Sequence, residues 1–312
     1  MNMTSEISKA VQDAPSISSS ALLVSFKVTL PTFRRKDKKA TKEVTQNNNT
    51  KTKLVNVTKS LLGTCEEYRL LNVHVGDTRN NTYYTNTLPW HDRGARFLAT
   101  VNHFDFHEVM TDKINTGYEL WDKFLNVYEY QRDVVAPQMH EGLGALFNIE
   151  EYPTLSDLRD NGFKMWLDYD IIPDPKQAVT GDARLDLSEE ALEYVTSQVQ
   201  QGNDARLNAA MSDLWYQLHD QLNVFIKSLH VDETTGKKGH IYDTVFERLI
   251  SLTDMLHSCN VTNDPQMDAM RRKLSAAIGS VSTHAIKNSP TLREDTRNKL
   301  TEALNSLPSL NM

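Results

Sequence analysis

Cysteine is nearly absent: Cys65 and Cys259 are the only two among 312 residues, too few for a disulfide framework or a four-cysteine zinc site. Glycine is scarce as well, with 12 in the chain, so glycine-rich loops that cradle phosphates are not expected. No run approaches the roughly 18 consecutive apolar residues of a membrane span. The segment from Met1 to Ser20 lacks the basic-then-apolar order of a secretory signal. These absences predict a cytoplasmic chain without membrane attachment, whose Asn-x-Ser/Thr sequons at Asn48, Asn56, Asn80 and Asn260 stay unglycosylated. No repeat of roughly 20–50 residues is visible, which argues against a solenoid.

What is present is an ordinary globular composition, 39% hydrophobic and 24% charged, over a length that exceeds the roughly 100–200 residues of one typical domain. The charge is unevenly placed. Between Lys27 and Lys59, ten basic residues (Lys27, Arg34, Arg35, Lys36, Lys38, Lys39, Lys42, Lys51, Lys53 and Lys59) face only Asp37 and Glu43. That segment carries +8 in a chain of net charge −7, which leaves −15 for the remainder. Such asymmetry speaks to partners and steering rather than to fold.

Periodicity divides the chain further. Residues 1–20 read as a flexible arm. Leu22, Val24, Phe26, Val28 and Leu30 alternate with polar residues, a half-buried strand ended by Pro31. A short basic helix is predicted from Asp37 to Gln46, the run Asn47–Thr50 as a loop, and a second helix from about Lys53 to Val75. Tyr83 to Gly94 reads as a turn with aromatic anchors, because Pro89 restricts Leu88 to extended geometry. A long helix is predicted from Ala95 to Phe147 on the steps of Phe97, Val101, Phe104, Val109, Ile114, Leu120, Trp121, Phe124, Leu125 and Tyr128. Met165, Leu167, Tyr169 and Ile171 predict a strand, with Ala183–Leu187 as its hairpin partner.

Ser188 is the predicted N-cap of a long helix whose later half steps through Leu207, Met211, Leu214, Leu218, Leu222, Phe225 and Leu229, a bundle or coiled-coil seam. Gly202 marks a point where that helix is expected to weaken or divide. Three shorter helices follow near Ile241–Ser258, Pro265–Ala277 and Pro290–Leu307, two of them started by proline. The fold class is therefore mainly α: a helical bundle with a long central helix, an N-terminal strand and a mid-chain hairpin. The expected division is 21–153, a strand plus helical domain with a basic lobe, and 154–312, the hairpin plus helical bundle.

Few residues assemble into chemistry. His103 and His107 lie four apart, the spacing that sets two imidazoles on one helical face, but zinc needs a third ligand. The plainer reading is a polar edge of an amphipathic helix. His91–Asp92 resembles the His-Asp doublet of helical metal-dependent phosphohydrolases, where His74 and Asp105 or Asp112 would complete the set; a polar turn explains it as well. Asp168, Asp170 and Asp174 suit metal or acid–base work, yet alternation already places the first two on the wet face of a strand. Cys65 and Cys259 have no helper residues and read as core. The strongest feature is Phe33–Lys39, where Arg34, Arg35, Lys36, Lys38, Lys39 and then Lys42 fit phosphates or an acidic partner. Tyr83, Tyr84 and Trp90 would be stacking faces for single strands.

Several stretches together resemble a known group. LLVSFKVTLPTFRRKDKKATKEV (Leu22–Val44), YYTNTLPWHDRGARFL (Tyr83–Leu98), LGALFNIEEYP (Leu143–Pro153), AMSDLWYQLHD (Ala210–Asp220) and NVTNDP (Asn260–Pro265) resemble, in this order, a family of tailed-bacteriophage proteins described only as hypothetical. The order of a strand followed by helices is distantly similar to proteins of unknown function that accompany MoxR-type AAA+ ATPases. The resemblance implies a phage-encoded protein in the host cytoplasm and supplies no catalytic residues.

The leading expectation is thus a non-enzymatic accessory protein acting through protein–protein assembly, as a homo-oligomer or with a phage or host protein, and needing no cofactor. The alternative is a nucleic-acid-binding protein of phage DNA metabolism that uses the basic 27–59 segment. A metal-dependent phosphohydrolase built on His91, Asp92, His103 and His107 is the least favoured reading.

Overall fold

The computed structural model describes residues 17–51, 53–63, 65–90, 94–175, 188–231, 237–261 and 264–308. In chain order the elements are α1 (Ile17–Ser20), β1 (Ala21–Thr29), β2 (Arg34–Lys36), α2 (Lys38–Asn47), β3 (Thr58–Ser60), α3 (Glu66–Asp77), β4 (Leu88–Pro89), β5 (Arg96–Ala99), α4 (His103–Tyr130), α5 (Leu155–Asn161), β6 (Lys164–Ile171), α6 (Glu189–Leu229), α7 (Asp243–Ser258), α8 (Pro265–Ile278), α9 (Thr283–Asn288) and α10 (Pro290–Asn305). One sheet has the strand order β4-β5-β1-β6, and β2 with β3 makes a separate ribbon. The protein is mainly α with a small β element.

Two compact units are formed, and neither is contiguous in sequence. The first comprises Met1–Ser25, Asn81–His107 and Asp168–Met312; the second comprises Phe26–Asn80 and Glu108–Leu167. Neither coincides with the segments 21–153 or 154–312.

The first unit is built on α6. Its N-cap Ser188 accepts a hydrogen bond from the Ala191 backbone, as the serine before an apolar-periodic run predicts. The helix is continuous for 41 residues. Gly202 does not divide it: a Cβ there would meet only the Arg206 guanidinium at ordinary contact distance, and the cost of one glycine is about 1 kcal/mol. Leu207, Leu214, Leu218, Leu222, Phe225 and Leu229 are buried, Met211 partly so, and Ala210 and Trp215 join them. They pack against α7 and α10, with α8 bridging those two. The α6 seam is therefore covered by this chain's own helices.

Asp264 and Ser289 cap α8 and α10, each with proline at the first helical position. At the other end of α6 the buried Arg293 donates to the carbonyls of Leu229, Ser228 and Gly239 at 2.9, 2.6 and 2.7 Å. A cation thus satisfies orphan carbonyls at the negative end of the helix. β5 pairs antiparallel with β1, Leu22 opposite Leu98, and β4 pairs with β5.

The second unit is held by aromatic packing. Phe33 meets Tyr68 edge-on at 5.0 Å and Phe124 at 5.6 Å, and Trp121 stacks on Phe163. Their hydroxyl-bearing neighbours find partners: Tyr128 donates to the Pro153 carbonyl and Tyr152 to that of Leu61, at 2.7 and 2.6 Å. Burial pushes both phenols up to about 12. Gly162 is required here, since a Cβ would lie 2.5 Å from the Trp121 ring.

Several expectations are corrected. Residues 53–63 are not helical; β3 lies there, Leu54 is 75% exposed, and α3 starts only at Glu66. Residues 96–99 are strand rather than helix, because Phe97 and Leu98 are buried by pairing with β1. The true inner face of α4 begins at Phe106 and Met110, which leaves Val101 and Phe104 exposed. Ile171 faces solvent and Ile172 is buried, so the β6 alternation ends one residue early. Residues 17–20 of the expected arm form the helical turn α1; residues 1–16 and the expected strand Ala183–Leu187 lie outside the described residues.

Candidate functional site

The basic face belongs to the second unit. β2 carries Arg34, Arg35 and Lys36, all exposed, and pairs antiparallel with β3 so that Arg35 lies opposite Lys59. Like charges facing each other across a ribbon are unfavourable. Here one of the two is buried and neutralised: Lys59 Nζ lies 2.8 Å from Glu151, 3.3 Å from Asp37 and 2.8 Å from the Leu146 carbonyl. Burial works to lower its basicity, but hydrogen bonds to Glu151 and Asp37 outweigh that and hold the ammonium above its ordinary range.

Asp37 serves a second purpose. Its other oxygen accepts the Ala40 N–H at 2.8 Å, which caps α2. That bond, then the Lys59 ammonium, holds its carboxyl below the usual range. Its backbone N–H donates to Val57, and the Val57 N–H donates to Thr41 Oγ1. The segment after α2 is thus tied back along the helix.

The two internal charges, Lys59 and Asp37, leave the surface balance unchanged. Nine exposed cations (Lys27, Arg34, Arg35, Lys36, Lys38, Lys39, Lys42, Lys51 and Lys53) face only Glu43. From Arg34 to Lys53, none of these eight cations forms an ion pair among the described residues. Arg35 instead donates to the carbonyls of Thr32 and Arg34. An open depression of about 770 Å³ lies beside α2, lined by Lys42, Thr45, Gln46, Asn49, Thr50, Lys51 and Lys53.

The other candidates are placed elsewhere or used up. Tyr83 and Trp90 are buried in the first unit. The Tyr83 hydroxyl donates to Val24 at 2.9 Å, and Trp90 stacks on Phe97. Neither offers a stacking face. Tyr84 is half-exposed but lies under the Arg96 guanidinium, 4.8 Å from its ring centre.

His103 and His107 do meet, their rings near-parallel at 5.8 Å, and His107 Nδ1 lies 3.1 Å from the Tyr169 hydroxyl. No group of three His, Cys, Asp or Glu side chains that could hold a metal exists among the described residues. His91 and Asp92 lie outside those residues. His74 is held by the Lys113 carbonyl at 2.7 Å. Asp168 and Asp170 are exposed and Asp174 is intermediate. Both cysteines are buried, and burial pushes Cys259 up to about 12.

Lys51 and Lys53 join the candidate face although the basic run ending at Lys42 draws attention first. The signal that finds them is Asn49, whose backbone is left-handed at φ 51° and turns the chain back along α2.

Comparison with known proteins returns no family model, no curated protein and no solved structure that matches the chain. No helix among the described residues is long and apolar enough to cross a membrane.

Proposed function

We propose that this chain is a non-enzymatic binding protein, and that its basic face on β2, α2, Lys51 and Lys53 grips nucleic acid by the phosphate backbone without reading bases. The observation that carries this is the set of eight exposed, unpaired cations from Arg34 to Lys53. Clustered Lys and Arg bind phosphates by releasing condensed counterions, and contacts of that kind position a protein without specifying sequence. Protein interfaces are typically depleted in lysine and anchored by buried aromatics. This face has five lysines beyond its β2 residues and no aromatic side chain in its depression.

Assembly through the α6 seam loses its support, since its leucines are covered within the chain. An acidic protein partner is the second reading, favoured by a net charge of −7, which is unusual for a dedicated nucleic-acid binder. In the phage setting that the resemblance implies, the nucleic acid is viral or host DNA and the place of action the host cytoplasm.

The test is a salt titration of binding to duplex and single-stranded DNA. Affinity should fall with a log–log slope of about −0.9 per duplex phosphate, or −0.7 for single strands. The double reversal Arg35→Glu/Lys39→Glu should flatten the duplex slope by roughly 2 and weaken all sequences alike. Absence of salt-sensitive binding by the wild-type protein, or binding indifferent to the reversal, overturns the reading; an acidic protein captured in its place would identify the second.

A further inference from the structure

We propose that the depression at the C-terminal end of α2 is a second phosphate seat, separate from the β2 ribbon, so that one nucleic-acid backbone is held at both ends of the helix. This inference rests on the phosphate-binding reading above and assigns it a geometry. Lys42, Lys51 and Lys53 converge on one open space of about 770 Å³ whose lining holds no carboxylate. Three ammonium groups around one depression repel one another, and an anion seated between them relieves that repulsion.

The end of a helix is ordinarily hostile to anions, since its dipole places about half a negative charge there. Here the last carbonyls are already occupied: Val44 accepts from the Asn48 backbone and side chain, Gln46 from Asn49 and Thr45 from Thr50. Three full positive charges outweigh what remains. The lining chemistry also selects the ligand class. Lysines act as point charges without the planar fork of arginine, and hydroxyls and amides from Thr45, Gln46, Asn49 and Thr50 add no base-sized apolar face. Such a lining accepts a phosphodiester in many orientations.

Spacing follows from the helix. The lining residues on α2, Lys42 to Gln46, stand five to nine residues beyond the cap Asp37, about 8–14 Å at 1.5 Å each, and β2 immediately precedes that cap. Along one strand of a duplex, at about 3.4 Å per phosphate, that rise corresponds to roughly two to four base pairs. Two linked contacts of this kind reinforce each other through effective concentration.

The experiment compares full-length wild-type protein with two triple variants on a duplex of about 20 base pairs. These are Arg34→Gln/Arg35→Gln/Lys36→Gln and Lys42→Gln/Lys51→Gln/Lys53→Gln. Each should flatten the salt slope by about 2.7 and weaken binding about ten-fold or more. Acetylation of Lys42, Lys51 and Lys53 in wild-type protein, read by mass spectrometry, should slow several-fold when the duplex is added, while exposed Lys123 on α4 is unaffected. That footprint decides the matter even where a variant fails to fold. If the ribbon variant loses affinity while the depression variant keeps its slope and the three lysines stay unprotected, the seat is rejected and the phosphate reading stands. If wild-type protein shows no salt-sensitive binding, the reading itself fails and the seat with it.

Discussion

The ammonium of Lys59 stands 2.8 Å from a carboxylate oxygen of Glu151, and both side chains are withdrawn from solvent, with 6% and 27% of their surface exposed. This contact joins the β2–β3 ribbon to the turn at Ile149–Glu151, and through Asp37 it reaches the cap of α2. The lysine that closes the most basic segment thus works inward as a latch that holds the exposed cations in place.

Removing one member of a buried ion pair leaves the other charge uncompensated. Lys59→Met should therefore destabilise the protein by roughly 3 kcal/mol at neutral pH, measured by urea unfolding. The pH dependence has a definite sign. Asp37 is held below its ordinary value of 3.8, so its contribution is present above that value and is lost as pH falls through the lower folded one. Lys59 is held above 10.5, so its contribution is complete below 10.5 and is lost as pH rises through the higher folded value. Wild-type stability should fall at both extremes, and Lys59→Met should flatten both limbs. Equal stability of the two proteins at neutral pH rejects the latch.

The α6 seam makes a separate prediction. Leu218 is fully buried between α6 and its neighbours in the first unit. Truncation to alanine should cost about 2–5 kcal/mol. Because the seam is covered from within, Leu218→Ala should leave the sedimentation behaviour of the native protein unchanged. A variant that alters the native mass without a loss of melting temperature would place the seam between copies instead.

Much of this fold was legible because its signals are local. Ser188, Asp264–Pro265 and Ser289–Pro290 announce helix starts within four residues of themselves, and all three cap as their chemistry dictates. The seam from Leu207 to Leu229 was legible for the same reason. β3 and β5 were not. Each is three or four residues long, and each exists because a partner strand distant in sequence supplies its hydrogen bonds, which no local period encodes. The site divides in the same way. Arg34 to Lys42 stand out as a run, whereas the inward turn of Lys59 depends on Glu151, and the approach of Lys51 and Lys53 to Lys42 depends on one left-handed asparagine.

Metal content tests the histidine pair. His103 and His107 have Tyr169 as their nearest partner, and burial pushes that phenol up, which disfavours the phenolate needed of an oxygen ligand. Protein purified without chelator should retain no stoichiometric zinc, manganese or iron by elemental analysis, and His107→Ala should not alter the content. One bound equivalent that disappears in His107→Ala would restore the metal reading.

Tyr84 separates backbone gripping from base stacking. It is the one member of the Tyr83, Tyr84 and Trp90 trio with substantial exposure, at 41%, and its ring already faces the Arg96 guanidinium. Stacking a base on an aromatic side chain contributes about 1–3 kcal/mol, which corresponds to roughly five-fold to more than a hundred-fold in affinity. If binding runs through phosphates on β2 and α2, Tyr84→Ala should change the affinity for single-stranded DNA by less than about two-fold and leave the salt slope intact. The two variants then form a clean contrast: the Arg35→Glu/Lys39→Glu reversal acts on slope and affinity together, and Tyr84→Ala on neither. A loss of about ten-fold or more in Tyr84→Ala, with the slope unchanged, is the signature of stacking and would move the interface from the basic face to the first unit.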